Sequence, residues 1–81
     1  MKVCGTDGKF NISGDRIRAA RLELGISQEK LAAKLQLLGL QIGQMAVSRA
    51  ETGKRIVPDY ELSSFAAALE VSVDWLLGLE E

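Results

Sequence analysis

Val47-Ser48-Arg49-Ala50-Glu51-Thr52-Gly53-Lys54-Arg55, taken with Gly25-Ile26-Ser27-Gln28-Glu29-Lys30-Leu31-Ala32, decides the reading of this 81-residue chain. The upstream stretch starts a helix at Ser27, whose hydroxyl can cap free backbone N–H groups. Glu29 follows in the first turn, where the positive end of a helix dipole favours a carboxylate. Leu31, Ala32 and Leu35 give that helix its inner face. The downstream stretch opens at Gly43 and ends near Thr52, before Gly53. Val47 and Ala50 fall at i and i+3 and face inward, while Gln44, Met45, Ser48 and Arg49 point outward.

Working outward, the remaining periodicity predicts three more helices. Asn11 or Ser13 can cap a first helix that runs to about Leu24, with Ile17, Ala20 and Leu24 on one face and Gly25 at its end. The second helix runs to Leu38, with Gly39 just past it. Asp59 is the expected cap of a fourth helix, with Leu62, Phe65, Ala66 and Leu69 as its apolar stripe. Ser72 caps a short fifth helix that holds Trp75 and Leu76, with Gly78 beyond it. Residues 1–10, with Gly5, Asp7 and Gly8, lack periodicity and read as a flexible N-terminal arm, which leaves 11–81 as one domain. Apolar residues make up 47% of the chain and aromatics only 5%. A core of Leu, Ile, Val and Ala suits packed helices better than a β-sandwich, so the fold class is all-α.

The net charge is −1, but the charges are segregated. Residues 16–55 hold eight bases (Arg16, Arg18, Arg21, Lys30, Lys34, Arg49, Lys54, Arg55) against three acids, a balance of +5. Residues 56–81 hold six acids and no base, a balance of −6. A phosphate backbone responds to the local field rather than to the bulk isoelectric point.

Several classes are disfavoured. The chain has one cysteine, Cys4, and no histidine, so an intramolecular disulfide and the usual zinc spacings are excluded. A reducing cytosol fits, and Cys4 reads as an ordinary residue of the arm. Met1-Lys2-Val3 leads into polar residues and glycines rather than a signal peptide. The longest uncharged run, Leu35 to Ser48, is too short to span a bilayer. No histidine base, Gly-rich phosphate loop or paired-carboxylate cleft points to catalysis. No metal or cofactor is expected.

Four segments in order carry a resemblance: Arg16-Ile17-Arg18-Ala19-Ala20-Arg21, the Gly25–Ala32 and Val47–Arg55 stretches, and Leu69-Glu70-Val71-Ser72-Val73-Asp74-Trp75-Leu76-Leu77. Together, over about residues 12–78, the chain resembles the helix-turn-helix domain of phage repressors and Cro proteins, the XRE type. The resemblance implies a compact five-helix, lambda-repressor-like bundle that binds operator DNA, usually as a dimer, and regulates transcription. One segment departs from the pattern. Gln36-Leu37-Leu38-Gly39-Leu40-Gln41-Ile42-Gly43 makes the turn about five residues longer than the common form of 3–4 residues. The extension bears on the angle at which the third helix meets a groove. Leu38, Leu40 and Ile42 are too apolar for a loose loop, so some of them should pack on the core. A partner-binding patch is the alternative.

A recognition helix presents mainly its N-terminal half to base edges. Gln44 suits adenine N6 and N7, and Arg49 suits guanine O6 and N7 or a phosphate. Met45 can touch a thymine methyl or fill a surface gap, and Ser48 can serve a base or a phosphate. Gln28 starts the second helix, where free N–H groups meet a phosphate. The resemblance implies that Gln28 also buttresses Gln44, and that Arg21 forms an ion pair with Glu51. Lys54 and Arg55, on the exit loop, are expected to clamp the backbone. Arg16 and Arg18 read better as a solvated helix face. Trp75, Leu76, Leu77 and Leu79 offer more apolar surface than a short helix buries, which suggests a homodimer through the C-terminal region. The alternative from another class is a helix-turn-helix module for protein–protein contact, such as an antitoxin component.

Overall fold

The computed structural model describes residues 9–80. Cys4 and the first eight positions of the expected arm lie outside them. Five helices follow in order: α1 (Gly14–Leu24), α2 (Gln28–Leu37), α3 (Gln44–Glu51), α4 (Asp59–Leu69) and α5 (Val73–Leu76). There is no strand among the described residues. Ile17, Leu31, Leu35, Val47, Phe65 and Leu76 are fully enclosed at the centre. They come from all five helices, so each helix is fixed by burying its apolar stripe against the others. α4, whose Phe65 fills the middle, packs on α1, α2 and α5, while α3 rests chiefly on α1 and α2. One face of α3 is thereby left to solvent.

Two caps form as the sequence predicts. The Ser27 hydroxyl accepts from the Lys30 N–H at 3.0 Å, and the Ser72 hydroxyl accepts from the Trp75 N–H at 3.0 Å. The other two differ. Ser13 occupies the N-cap position of α1 but makes no capping bond, because the N-terminus of α1 abuts the C-terminal carbonyls of α3. A Cβ on Gly14 would stand 2.5 Å from the Ala50 carbonyl oxygen, so only glycine allows this approach. At α4, Pro58 holds the N-cap position in extended backbone, and Asp59 lies one step inside the helix. There its carboxylate meets the dipole instead of capping.

All five helices end alike. In each, the N–H of a left-handed residue at or just past the helix end turns back onto the carbonyl three residues before it, and the next N–H reaches one residue deeper. In α3 these bonds run from Gly53 to Ala50 at 3.2 Å and from Lys54 to Arg49 at 2.8 Å. The motif needs one left-handed residue. Glycine supplies it at Gly25, Gly39, Gly53 and Gly78, but Glu70 supplies it in α4 with φ 61°. A side chain in that conformation strains the backbone, and a carboxylate opposes the negative end of the dipole. Glu70→Gly should therefore stabilise the fold by ~0.5–1 kcal/mol, a rise of roughly 3–6 °C in melting temperature. A fall in a thermal scan would show that the Glu70 side chain makes a contact worth more than the strain.

The extended turn is ordered. Leu40 and Ile42 pack against the core, and the Gln36 amide donates to the Ile42 carbonyl at 2.8 Å. Leu38 is half exposed and Leu37 is 88% exposed. At the other end, Leu76 is buried and Trp75 and Leu77 pack against the core. Leu79 alone of the four apolar residues there stays open. The fifth helix therefore absorbs more of its apolar surface than its length suggests, because its residues face α1 and α4.

Candidate nucleic-acid interface

A line of side-chain hydrogen bonds starts inside the protein and ends at its surface. The Arg21 guanidinium, on α1, grips Glu51, at the end of α3, with Nε to Oε2 at 2.5 Å and Nη2 to Oε1 at 3.1 Å. Both residues are buried. The third arm of Arg21 donates to the Ile26 carbonyl at 2.8 Å, so this enclosed charge is satisfied on several sides. Glu51 then accepts from the Gln28 amide at 3.1 Å, and the Gln28 oxygen accepts from the Gln44 amide at 2.8 Å.

The order of this line has a chemical consequence. A carboxylate only accepts, so Gln28 must turn its NH2 group to Glu51 and its oxygen to Gln44. Gln44 must then offer Gln28 one of its own N–H bonds. What Gln44 has left for solvent is its oxygen and its second N–H. These are the acceptor and donor that a bidentate contact to adenine requires. The Arg21–Glu51 pair thus sets the polarity of an exposed amide at the start of α3.

Around Gln44, the outward face has the expected residues. Met45 and Arg49 are exposed and Ser48 is half-buried, while Val47 and Ala50 are fully enclosed. Met45 stands 65% exposed, so it fills no gap in this surface. The Ser48 carbonyl accepts from the Thr52 hydroxyl at 3.1 Å, and the Ser48 hydroxyl makes no hydrogen bond among the described residues.

The exit loop differs from expectation in one residue. Lys54 is exposed and has no ion-pair partner among the described residues. Arg55 instead lays its fork on the buried carboxylate of Glu61, with Nη1 to Oε1 at 2.5 Å. Its charge is largely neutralised there, which weakens its pull on a phosphate. This partner lies six residues on, across a turn, where no helical spacing signals it. Arg16 also departs from a solvated face. It donates to the Trp75 carbonyl at 3.0 Å and the Glu80 carbonyl at 2.9 Å, and its guanidinium sits 4.8 Å from the Trp75 ring centre. It anchors the C-terminal end to α1 through hydrogen bonds and a cation–π contact. Arg18 is exposed as expected.

The described residues contain no cluster of metal-ligating side chains and no helix long and apolar enough to cross a membrane. Solved structures share the fold. The c2 repressor of P22, determined in complex with a synthetic operator, superposes with a TM-score of 0.73 at 28% identity, over 86% of this chain and 98% of that one. A hypothetical transcription factor from Neisseria gives 0.70 at 30% identity, over 82% and 70%. The helix-turn-helix family matches residues 17–76, which hold α2, α3 and the line from Arg21 to Gln44, and the chain belongs to that family.

Proposed function

We propose that this helix-turn-helix DNA-binding protein is a repressor-like regulator of transcription that reads double-stranded operator DNA as a homodimer. The observation that carries the reading is the oriented amide of Gln44, fixed through Gln28, Glu51 and Arg21 at the start of a helix with one open face. Gln44 reads adenine, Met45 touches a thymine methyl, and Arg49 and Ser48 take the next positions along the groove. Gln28 and the free N–H groups at the start of α2 meet a phosphate. The P22 repressor's operator complex supports the choice of DNA as partner. Regulation then follows from occupancy of the site and needs no cofactor or catalytic step. The cytoplasm, where such DNA lies, is the expected place of action.

Dimerisation is supported by size and by the open Leu79 at the C-terminal end. One copy of α3 reads only a few base pairs, and a two-fold pair would read half-sites about 34–36 Å apart. The six acids of residues 56–81 would come near each other in such a pair, so the free dimer should be weak and strengthened by salt.

Selection of bound sequences from a random duplex pool tests the reading. A two-fold symmetric motif is expected. No enriched motif would favour a protein–protein module of the antitoxin kind, for which the exposed Leu37 and Leu38 at the end of α2 offer apolar surface. The exit loop gives a second check. Lys54→Ala should weaken selected and random duplex alike and lower the salt slope by ~1. Arg55→Ala should act mainly on stability, since it strands the buried Glu61 carboxylate. A loss confined to one base preference in Lys54→Ala would show that the loop reads sequence.

A further inference from the structure

We propose that Asn11 is a positioning residue for DNA backbone contact, a staple that holds the exit loop of α3 so that Lys54 faces a phosphate. The inference rests on the DNA-binding reading above. Its residue lies outside the stretch that matches the helix-turn-helix family, which begins at Ile17.

Asn11 is 9% exposed, one of five buried polar or charged side chains among the described residues. Its single NH2 group makes two long-range bonds. One N–H donates to the Ala50 carbonyl at 3.1 Å, and the other donates to the Arg55 carbonyl at 2.8 Å. These two carbonyls stand at the two feet of the exit loop. Ala50 is in the last turn of α3, and Arg55 is the first residue after Lys54. One amide therefore closes the base of the loop. The Asn11 oxygen in turn accepts from the Ser13 hydroxyl at 3.4 Å.

The rest of the loop is held as well. The Phe10 N–H donates to the Gly53 carbonyl at 2.8 Å, and the Lys9 side-chain stem lies on Gly53 where a Cβ would stand. The Lys54 N–H is fixed to the Arg49 carbonyl, and the Arg55 fork is fixed to Glu61. Lys54 alone keeps an uncommitted charged side chain among the described loop residues. A loop ordered before binding loses little conformational freedom when a phosphate arrives, so its one ammonium acts at full effect. Without Asn11, the Ala50 carbonyl keeps its bond from the Gly53 N–H, but the Arg55 carbonyl loses its donor and can turn to water, which frees the end of the loop just past Lys54.

The experiment measures duplex binding of the full chain against salt concentration. Asn11→Leu keeps a side chain of similar size and removes both donors. Asn11→Ser, shorter and polar, serves if the leucine variant is not helical by circular dichroism. The expected result is a salt slope lower by ~1 on selected and random duplex, as for Lys54→Ala, with an unchanged selected motif. Lys54→Ala added to the Asn11 variant should change little further. A folded Asn11 variant with the full slope, or one whose effect adds to that of Lys54→Ala, overturns the proposal and leaves Asn11 a purely structural residue. Amide exchange at Gly53 and Lys54 separates this from failure of the DNA reading. Faster exchange in the variant is expected, and unchanged exchange overturns the staple whether or not the wild type binds DNA.

Discussion

Glu51→Ala should cost about 3–5 kcal/mol of stability, the range for removing one partner of a buried ion pair. Arg21 is 8% exposed, and two of its donors point at the Glu51 carboxylate. With Glu51 gone, that guanidinium keeps only the Ile26 carbonyl among its described protein acceptors. Arg21→Ala should cost a similar amount, because it leaves a carboxylate that is 3% exposed without its charge partner. The double replacement removes both charges and should lie above the less stable single variant, far from the sum of the two. A thermal double-mutant cycle checks this, and simple additivity would mean that the pair is two independent charges. There is a functional consequence too. Glu51 is what compels Gln28 to turn its oxygen toward Gln44, so a folded Glu51 variant should bind DNA with relaxed preference at the Gln44 position.

Much of the frame is legible in the sequence because its signals are local. Ser27 and Ser72 cap because a hydroxyl there meets an N–H three residues on. Gly25, Gly39, Gly53 and Gly78 end helices because the left-handed residue that the turn needs is adjacent in the chain. Val47, Ala50, Leu62 and Phe65 fall inward by spacing alone. The Gln28–Gln44 and Arg21–Glu51 contacts are legible only through the family resemblance, since the partners lie 16 and 30 residues apart. What stays hidden is of one kind. Asn11 and Arg16 bond to carbonyls 39 to 64 residues away, and Arg55 finds Glu61 across a turn. Backbone carbonyls carry no sequence signature, so nothing in the residue types shows that Asn11 closes a loop rather than caps a helix. The Glu70 turn escapes notice for the opposite reason: packing of α4 and α5 overrides a residue that disfavours it.

Replacing Gln44 or Arg49 by alanine should cost ~1–3 kcal/mol at one base position in each half-site. If the protein binds as a two-fold dimer, each substitution acts twice, and the loss on the full operator reaches ~2–6 kcal/mol. The two residues should differ in character. Gln44 is pre-aimed by Gln28, so its loss should remove preference for a single adenine with little change in salt slope. Arg49 carries charge on the exposed face of α3, so its loss should remove preference for a guanine if it reads a base. It should lower the salt slope by ~1 if it meets a phosphate. Gln28→Ala provides the control, because it leaves Gln44 in place but frees its amide to rotate. It should weaken adenine preference without touching the Arg49 position. Competition binding against duplexes carrying single changes in the selected site measures all three. Unchanged affinity and preference in both Gln44→Ala and Arg49→Ala would remove α3 as the reader, and a loss limited to one half-site would remove the two-fold dimer.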